Sequence, residues 1–400
     1  MLLVGSGARE HALAWRIAQS PTLTELHAAP GNPGIAALGH CHPVRADDGD
    51  GLLGLAVTLA ADLVVIGPEA PLVAGVADEL RHAGIAVFGP GAEAARIEGS
   101  KSFAKEVMHA AGVATAATLP VARPPCVVKA DGLAAGKGVF VCRTSEELDD
   151  GLRQAAALGG TLVIEELLVG SEVSLFALCD GTRAVPLGAA QDFKRIGDGD
   201  TGPNTGGMGA YSPPPWPDDA SALVAQIHQP VVAELARRGA PFVGCLFAGL
   251  MLTAHGPRVL EFNARFGDPE TQVLMPRLEG DLLAALAAAA RGGAAEPLRE
   301  GADAAVTVVL AGPDYPARSD YAGAPITGIA EAEAAGAIVF HGGTAVRDGT
   351  LLTNGGRILS VTGTGPTVAE ARRVAYEGVE RVSFEGMRFR TDIAAAAANG

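Results

Sequence analysis

Residues 126–141 read Cys126-Val-Val-Lys129-Ala-Asp131-Gly132-Leu-Ala-Ala-Gly136-Lys137-Gly138-Val139-Phe-Val141. Two valine-rich runs flank a loop of glycine, alanine and one lysine, which predicts two strands joined as a hairpin. Small residues let backbone N–H groups approach phosphate oxygens. Lys129 on the first strand and Lys137 in the loop add positive charge, so the hairpin can lie over a triphosphate. It is not a Walker loop, because the GxxxxGK[ST] spacing is absent and no helix is signalled immediately after it. A flexible hairpin without a ligand is the plainer reading of the same residues.

The lysines around this hairpin are unusual for the chain. Of its 30 basic residues only five are lysines, namely Lys101, Lys105, Lys129, Lys137 and Lys194, so all of them fall between 101 and 194. Lysine and arginine interchange on most solvated surfaces, but not where a compact ammonium must meet a phosphate oxygen in a tight site. The cluster is therefore a candidate phosphate site, with chance as the alternative. A helix is expected from Glu98 to Gly112, with Ser100 as a plausible N-cap.

Downstream, the apolar run Leu162-Val-Ile ends in Glu165 and Glu166, and Glu172 follows. These acids could accept hydrogen bonds from an adenine amine and ribose hydroxyls, although spacing alone also fits solvated edge residues. The stretch from Gln191-Asp192-Phe-Lys194-Arg195 through Gly202 to Gly209 is polar, glycine-rich and long, as binding loops are. In the run Val259 to Glu270, strand alternation places Glu261, Asn263 and Arg265 on one face. A carboxylate beside an amide oxygen suits hard Mg²⁺ coordination, and the guanidinium suits a phosphoryl or carboxylate group. Apolar Phe262 and Ala264 on the opposite face argue against a merely solvated edge.

Before the hairpin, residues 1–90 alternate strand, loop and helix: Met1 to Val4, a helix from about Glu10 to Ser20, then strands Asp62 to Ile66 and Ala86 to Phe88. A small parallel-sheet domain is expected. Its first turn, Gly5-Ser6-Gly7-Ala8-Arg9-Glu10, matches a dinucleotide fingerprint only in part, because Glu10 takes the third glycine position. A glycine turn opening a helix still favours a phosphate, with Arg9 adding charge; a purely structural turn is the alternative. Glu69, in the loop Gly67 to Pro71 after a strand, is a candidate for contact with a hydroxyl or amine, or the exposed acid of a rigid turn. Beyond residue 300, strands at Ala305 to Leu310, Ala337 to Phe340 and Arg357 to Thr362 and a helix from Val368 to about Val382 suggest a small α+β closing domain with a frayed end at Ala394 to Gly400.

The 400 residues, with 53 glycines and prolines spread throughout, fit an α/β protein of two to four domains. A net charge of -15 argues against nucleic acid as a partner. Five separated cysteines with no CxxC pair suggest neither zinc nor disulfides and fit a reducing cytoplasm. The N-terminus lacks the features of a signal peptide. The longest apolar run, Leu282 to Ala290, falls well short of the roughly 20 residues needed to span a membrane and reads as a core helix.

Five segments in order, Gly5 to Trp15, Gly67 to Leu72, Lys129 to Val139, Asp198 to Ser212 and Glu261 to Gln272, resemble phosphoribosylamine–glycine ligases of the ATP-grasp superfamily. The resemblance implies an N-terminal α/β substrate domain (1–98), an ATP-grasp core (99–118 and 186–298), an ATP-grasp lid (119–185) and a small C-terminal α+β domain (299–400). It makes Lys101 and Lys129 phosphate contacts and Gly132 to Gly138, with Gly136, Lys137 and Gly138, the lid loop. Glu165, Glu166 and Leu168 fall on the adenine-binding strand, and Glu172 becomes the ribose ligand. Glu261 and Asn263 match the metal ligands and Arg265 the anion contact near the reacting phosphoryl group, so Arg265 and Lys129 are the catalytic candidates. Gly7, Arg9, Glu69, Asp192, Lys194 and Arg265 form the expected substrate set, with the Gly5 to Arg9 turn on the ribose 5-phosphate and Asp192 orienting the amines.

The implied reaction joins glycine to phosphoribosylamine through glycyl phosphate, with ATP as co-substrate, Mg²⁺ or Mn²⁺ as metal, small-molecule partners only, and a monomeric cytoplasmic enzyme. Phe242 to Leu252 carries no acid, so the metal should depend more on phosphate oxygens and water. The segments around 119–124 and 151–161 are short for that family, which bears on the lid's helices and stability rather than on chemistry. Rival readings are another ATP-grasp carboxylate–amine ligase, an NAD(P)-dependent oxidoreductase, which Glu10 weakens, and a nucleotide-binding regulator without turnover, which the Glu261-Asn263-Arg265 face weakens.

Overall fold

The computed structural model describes residues 1–132, 138–216, 219–293 and 298–399. Its N-terminal part is a five-stranded parallel sheet in the order His40–Cys41, His27–Pro30, Leu2–Gly5, Val64–Ile66, Val87–Phe88. The central strands are apolar throughout and buried, as strands covered on both faces must be. Leu2–Gly5 turns through Gly7 into the helix Ala8–Ile17. This helix starts two residues before the expected Glu10, because the Glu10 carboxylate reaches back to accept the Gly7 N–H and caps the first turn.

A second, eight-stranded antiparallel sheet forms the body. Its order is Gly256–Asn263, Val243–Thr253, Ser171–Asp180, Ala184–Asp192, Gly209–Ser212, Ala304–Ala311, Arg357–Gly365, Ile338–His341. Gly209–Ser212 pairs with Ala184–Asp192 on one side and with Ala304–Ala311 on the other. The strands beyond residue 300 therefore extend the central sheet across the boundary at which a separate closing domain is expected. The helix Val368–Val379 covers these last strands with Ala371, Ala375 and Val379 buried. At the end expected to fray, Ala394 is buried and Ala395–Ala398 form a short helix with no buried residue; just before it Ile393 is buried and donates its N–H to the Tyr376 hydroxyl at 3.1 Å. Leu282–Ala290 is a core helix, as its composition predicts, and no helix among the described residues is long and apolar enough to cross a membrane.

The hairpin strands lie in a third, three-stranded sheet, Val139–Cys142, Cys126–Ala130, Leu162–Glu166, with Lys129 opposite Val139. The helix Ser145–Ala157 packs on it and is capped by a reciprocal Thr144–Glu147 box, a feature worth about 1 kcal/mol. Cys126 and Cys142 face each other across the strands, yet all five cysteines are free thiols. The helix expected over Glu98 to Gly112 is two helices, Ala92–Gly99 and Lys101–Ala110, because Ser100 adopts an extended backbone and its hydroxyl caps the Phe103 N–H at 3.2 Å.

Candidate active cleft

The three sheets meet at a cleft of about 300 Å³. Arg9 and Glu69 reach it from the parallel sheet, Lys101 and Lys105 from the helix Lys101–Ala110, and Lys129, Gly138 and Glu165 from the hairpin sheet. Asp192, Lys194, Glu261, Asn263 and Arg265 come from the central sheet and the turn after it. Residues from seven separate stretches of chain thus converge.

The cationic side is built around Glu165, which is 2% exposed. Lys105 Nζ lies 2.7 Å from its Oε1 and Lys129 Nζ 2.7 Å from its Oε2. Both carboxylate oxygens are therefore engaged by lysines, where the sequence reading has Glu165 accepting from an adenine amine. Lys129 also donates to the Leu260 carbonyl at 2.9 Å. Lys101 donates from Nζ to the Gly132 carbonyl at 2.9 Å, and its backbone N–H is held by Asp131 at 2.6 Å. Burial pushes the Lys101 ammonium down and Lys129 adds to that, while Glu261 opposes it.

On the strand Gly256–Asn263, the Glu261 carboxylate makes no hydrogen bond among the described residues and faces the cleft. Asn263 Oδ1 accepts from Arg265 at 3.3 Å. The strand ends at Asn263, so Arg265 is aimed not by strand alternation but by two acids: Glu98 Oε1 at 3.0 Å and Glu69 Oε2 at 3.2 Å. Burial alone would lower the Arg265 pKa, but Glu98 and Glu69 outweigh it and raise it, so the guanidinium is a permanent charge. Burial likewise works against the Glu69 carboxylate, yet Arg265 and Arg9 hold it below its ordinary range. Glu98 is the opposite case, pushed up by burial while accepting the Ala264 N–H at 2.7 Å.

A second polar group centres on Lys194. Lys194 bonds Glu172 closely and sits 3.2 Å from Asp192 Oδ1; burial opposes its charge, but Asp192 and Glu172 raise its pKa well above the ordinary value. Glu270, 3% exposed, is pushed up to about 7 by burial and by Asp192, and accepts from Ser174 at 3.1 Å. Arg357 closes this side with bonds to the Gly206 carbonyl at 2.6 Å, the Asp268 carbonyl at 3.0 Å and Asp268 Oδ2 at 2.9 Å. Gly206, Asp268 and Arg357 also wall a neighbouring cavity of about 590 Å³, whose far side includes Ser6, Gly7, Asn32, Gly343 and Asn354.

Of the residues singled out in the sequence, Gly7 lines this second cavity, and Glu166, Leu168 and Glu172 line neither. Glu166 is spent on the Ala117 N–H at 2.8 Å. Gly136 and Lys137 lie outside the described residues. Sequence reasoning missed Glu98, Asp268, Glu270 and Arg357 as cleft residues, and Lys105 as more than one of a cluster. Its spacing of four from Lys101 on one helix was the available signal.

The Gly5–Arg9 turn is not an open phosphate cradle. Glu10 Oε2 takes the Gly7 N–H at 2.7 Å, and Glu10 Oε1 pairs with Arg9 Nε at 2.5 Å. A Cβ on Gly5 or Gly67 would strike the same Glu10 side chain.

Comparison with known proteins extends over the whole chain. The Phosphoribosylglycinamide synthetase family matches with its N domain at residues 1–98, its ATP-grasp (A) domain at 99–271 and its C domain at 305–396. A phosphoribosylamine–glycine ligase of Streptomyces coelicolor is 52% identical, over 100% of this chain and 99% of that one. One from Mesorhizobium japonicum is 48% identical, over 98% and 97%. The crystal structure of a Thermotoga maritima phosphoribosylamine–glycine ligase superposes with a TM-score of 0.84 at 36% identity, covering 98% of this chain and 99% of the other. The biotin carboxylase domain of a Hydrogenobacter thermophilus 2-oxoglutarate carboxylase, solved with MgADP, shares the fold at a TM-score of 0.66 and 17% identity, covering 97% and 91%.

Proposed function

The chain belongs to the phosphoribosylglycinamide synthetase family, and from that membership we propose how its cleft divides the work of the reaction. The protein is an ATP-dependent carbon–nitrogen ligase that joins glycine to 5-phosphoribosylamine, giving glycinamide ribonucleotide, ADP and phosphate in purine biosynthesis. The observation that carries the site assignment is the convergence of Lys101, Lys129, Glu261, Asn263 and Arg265 with Arg9 and Glu69 in one cleft. We divide the chain into a substrate domain (1–98), a core (99–118 and 186–298), a lid (119–185) and a closing domain (299–400), acting as a cytoplasmic monomer on small molecules alone.

In this reading a glycine carboxylate oxygen attacks the γ-phosphorus of ATP and ADP departs. The phosphoribosylamine nitrogen then attacks the acyl carbon of glycyl phosphate, phosphate leaves with the former carboxylate oxygen, and the nitrogen loses a proton. Such chemistry needs aligned reactants and neutralised charge rather than a covalent nucleophile. Lys101 and Lys129 hold phosphate oxygens, and Arg265, fixed by Glu69 and Glu98, stabilises the transferring phosphoryl group. Gly136, Lys137 and Gly138 cover the phosphates from the lid loop. The adenine rests against Glu165, Glu166 and Leu168, through their backbone where the Glu165 side chain is engaged, and the ribose meets Glu172. Asp192 and Lys194 orient the amines and the glycine carboxylate. The sugar phosphate occupies the neighbouring cavity beside Gly7, with Arg9 and Glu69 between it and the reacting end.

The enzyme uses a divalent metal with ATP, which we assign as Mg²⁺ or Mn²⁺. No cluster of three or more His, Cys, Asp or Glu fit to hold a metal occurs among the described residues. The Glu261 carboxylate, which makes no hydrogen bond among the described residues, and the Asn263 amide oxygen are the hard oxygen donors that would hold such an ion. Bound there, it would neutralise charge on the transferring phosphoryl group.

Glycine labelled with ¹⁸O in its carboxylate tests the route. One ¹⁸O atom in the released phosphate for each turnover is expected; unlabelled phosphate would remove glycyl phosphate from the account.

A further inference from the structure

Lys105 lies one helical turn beyond Lys101 and also lines the cleft, but its bonding differs from that of its neighbours. An ammonium has three N–H donors. Lys105 directs them to Glu165 Oε1 at 2.7 Å, to Thr115 Oγ1 at 3.0 Å and to the Ala116 carbonyl. None is left for a substrate. Lys129 bonds Glu165 Oε2 at 2.7 Å and the Leu260 carbonyl at 2.9 Å, which leaves one donor without a partner among the described residues.

The acceptors of Lys105 mark the joint between the central sheet and the hairpin sheet. Thr115 pairs with Val259 and donates its hydroxyl to the Val259 carbonyl at 2.7 Å, on the strand that carries Glu261 and Asn263. Thr118 pairs with Glu165, where the chain comes back out of the hairpin sheet. Lys105 therefore bonds both the outgoing and the returning chain.

We propose that Lys105 is a positioning residue for ATP: it shares the buried Glu165 carboxylate with Lys129, so that Lys129 keeps a donor and its positive charge for the nucleotide phosphates. Two ammoniums around one carboxylate leave a net single positive charge at the phosphate end of the cleft. Without Lys105 the buried carboxylate keeps Lys129 as its one cationic partner among the described residues, and an uncompensated buried acid binds such a partner strongly. Lys129 is then neutralised and drawn from the phosphates. This role rests on the nucleotide reading of the cleft given above.

The test measures Mg-ATP binding directly by calorimetry, with KM values for all three substrates alongside. Lys105→Met and Lys105→Gln are expected to weaken ATP binding about tenfold or more, the effect of a lost charge-assisted bond. The glycine and phosphoribosylamine KM values should shift less than twofold by the same reasoning, since neither meets Lys129. The glutamine variant retains a donor for Thr115 and Ala116, so it separates loss of charge from collapse of the joint. The double variant Lys105→Met with Glu165→Gln removes the acid's claim on Lys129 and should bind ATP more tightly than Lys105→Met alone. A role in packing alone predicts the reverse order. Unchanged ATP binding in Lys105→Gln, or a double variant weaker than the single, overturns the proposal; a parent protein that does not bind Mg-ATP overturns the nucleotide reading instead.

Discussion

Glu10 holds the backbone N–H of Gly7 with one carboxylate oxygen at 2.7 Å and Arg9 with the other at 2.5 Å, filling the turn that a dinucleotide pyrophosphate would need. The partial fingerprint of the sequence is thus occupied by the protein's own acid. The turn serves to aim Arg9 at the cleft, where its guanidinium lies 3.9 Å from Glu69.

Replacing Glu10 with glycine, which completes the fingerprint on paper, is expected to destabilise the protein by about 3 kcal/mol. A buried ion pair loses one partner and a helix loses its cap. Urea unfolding reads this directly. A stable variant that binds NAD(H) in a fluorescence titration would contradict the assignment of the turn.

Arg9→Ala should raise the KM for phosphoribosylamine at least about tenfold while that for ATP stays within about twofold, because the lost charge meets only one substrate. Initial-rate kinetics with each substrate varied separately decide it. Equal effects on both would move Arg9 out of the sugar phosphate site.

Glu261→Gln keeps the shape of the side chain but removes the cleft carboxylate that makes no hydrogen bond among the described residues. The free Mg²⁺ needed for half-maximal rate should rise about tenfold or more, with kcat recovering in part at high Mg²⁺. A rate loss that no metal concentration relieves would assign Glu261 a different role.

The Glu270 carboxylate gives a pH signature. Its folded-state pKa of about 7 stands above the ordinary 4.5, so its contribution to stability is full below about 4.5 and is lost as pH rises through about 7. Glu270→Gln, which keeps an acceptor for Ser174, should therefore be more stable than the parent by about 1–3 kcal/mol at pH 8 and by much less at pH 5. Denaturant melts at the two pH values measure the difference. A gap that does not change with pH would show that Glu270 is not the titrating group.

Much of the fold is legible in local chemistry. The valine runs around Lys129 form the hairpin strands, Ser100 caps the helix that carries Lys101, and the five segments in register correspond to the family that the comparisons find. The orientation of the acids is less legible. Glu165 reads as an open acceptor from its position at a strand end, yet two lysines from other stretches claim both of its oxygens. Arg357 and Asp268 meet across 89 residues, and Glu98 caps Ala264 across 166, so no spacing rule could pair them. The same long-range pairing runs the central sheet through Ala304–Ala311, where composition alone suggests a separate closing domain.

The most direct test of the central claim is ADP formation by the purified protein with Mg-ATP, glycine and freshly generated phosphoribosylamine, omitting each in turn. Turnover that requires all three and yields glycinamide ribonucleotide is the predicted result. ADP released with another amino acid or amine in place of these would leave the fold and nucleotide site standing and contradict the named substrates.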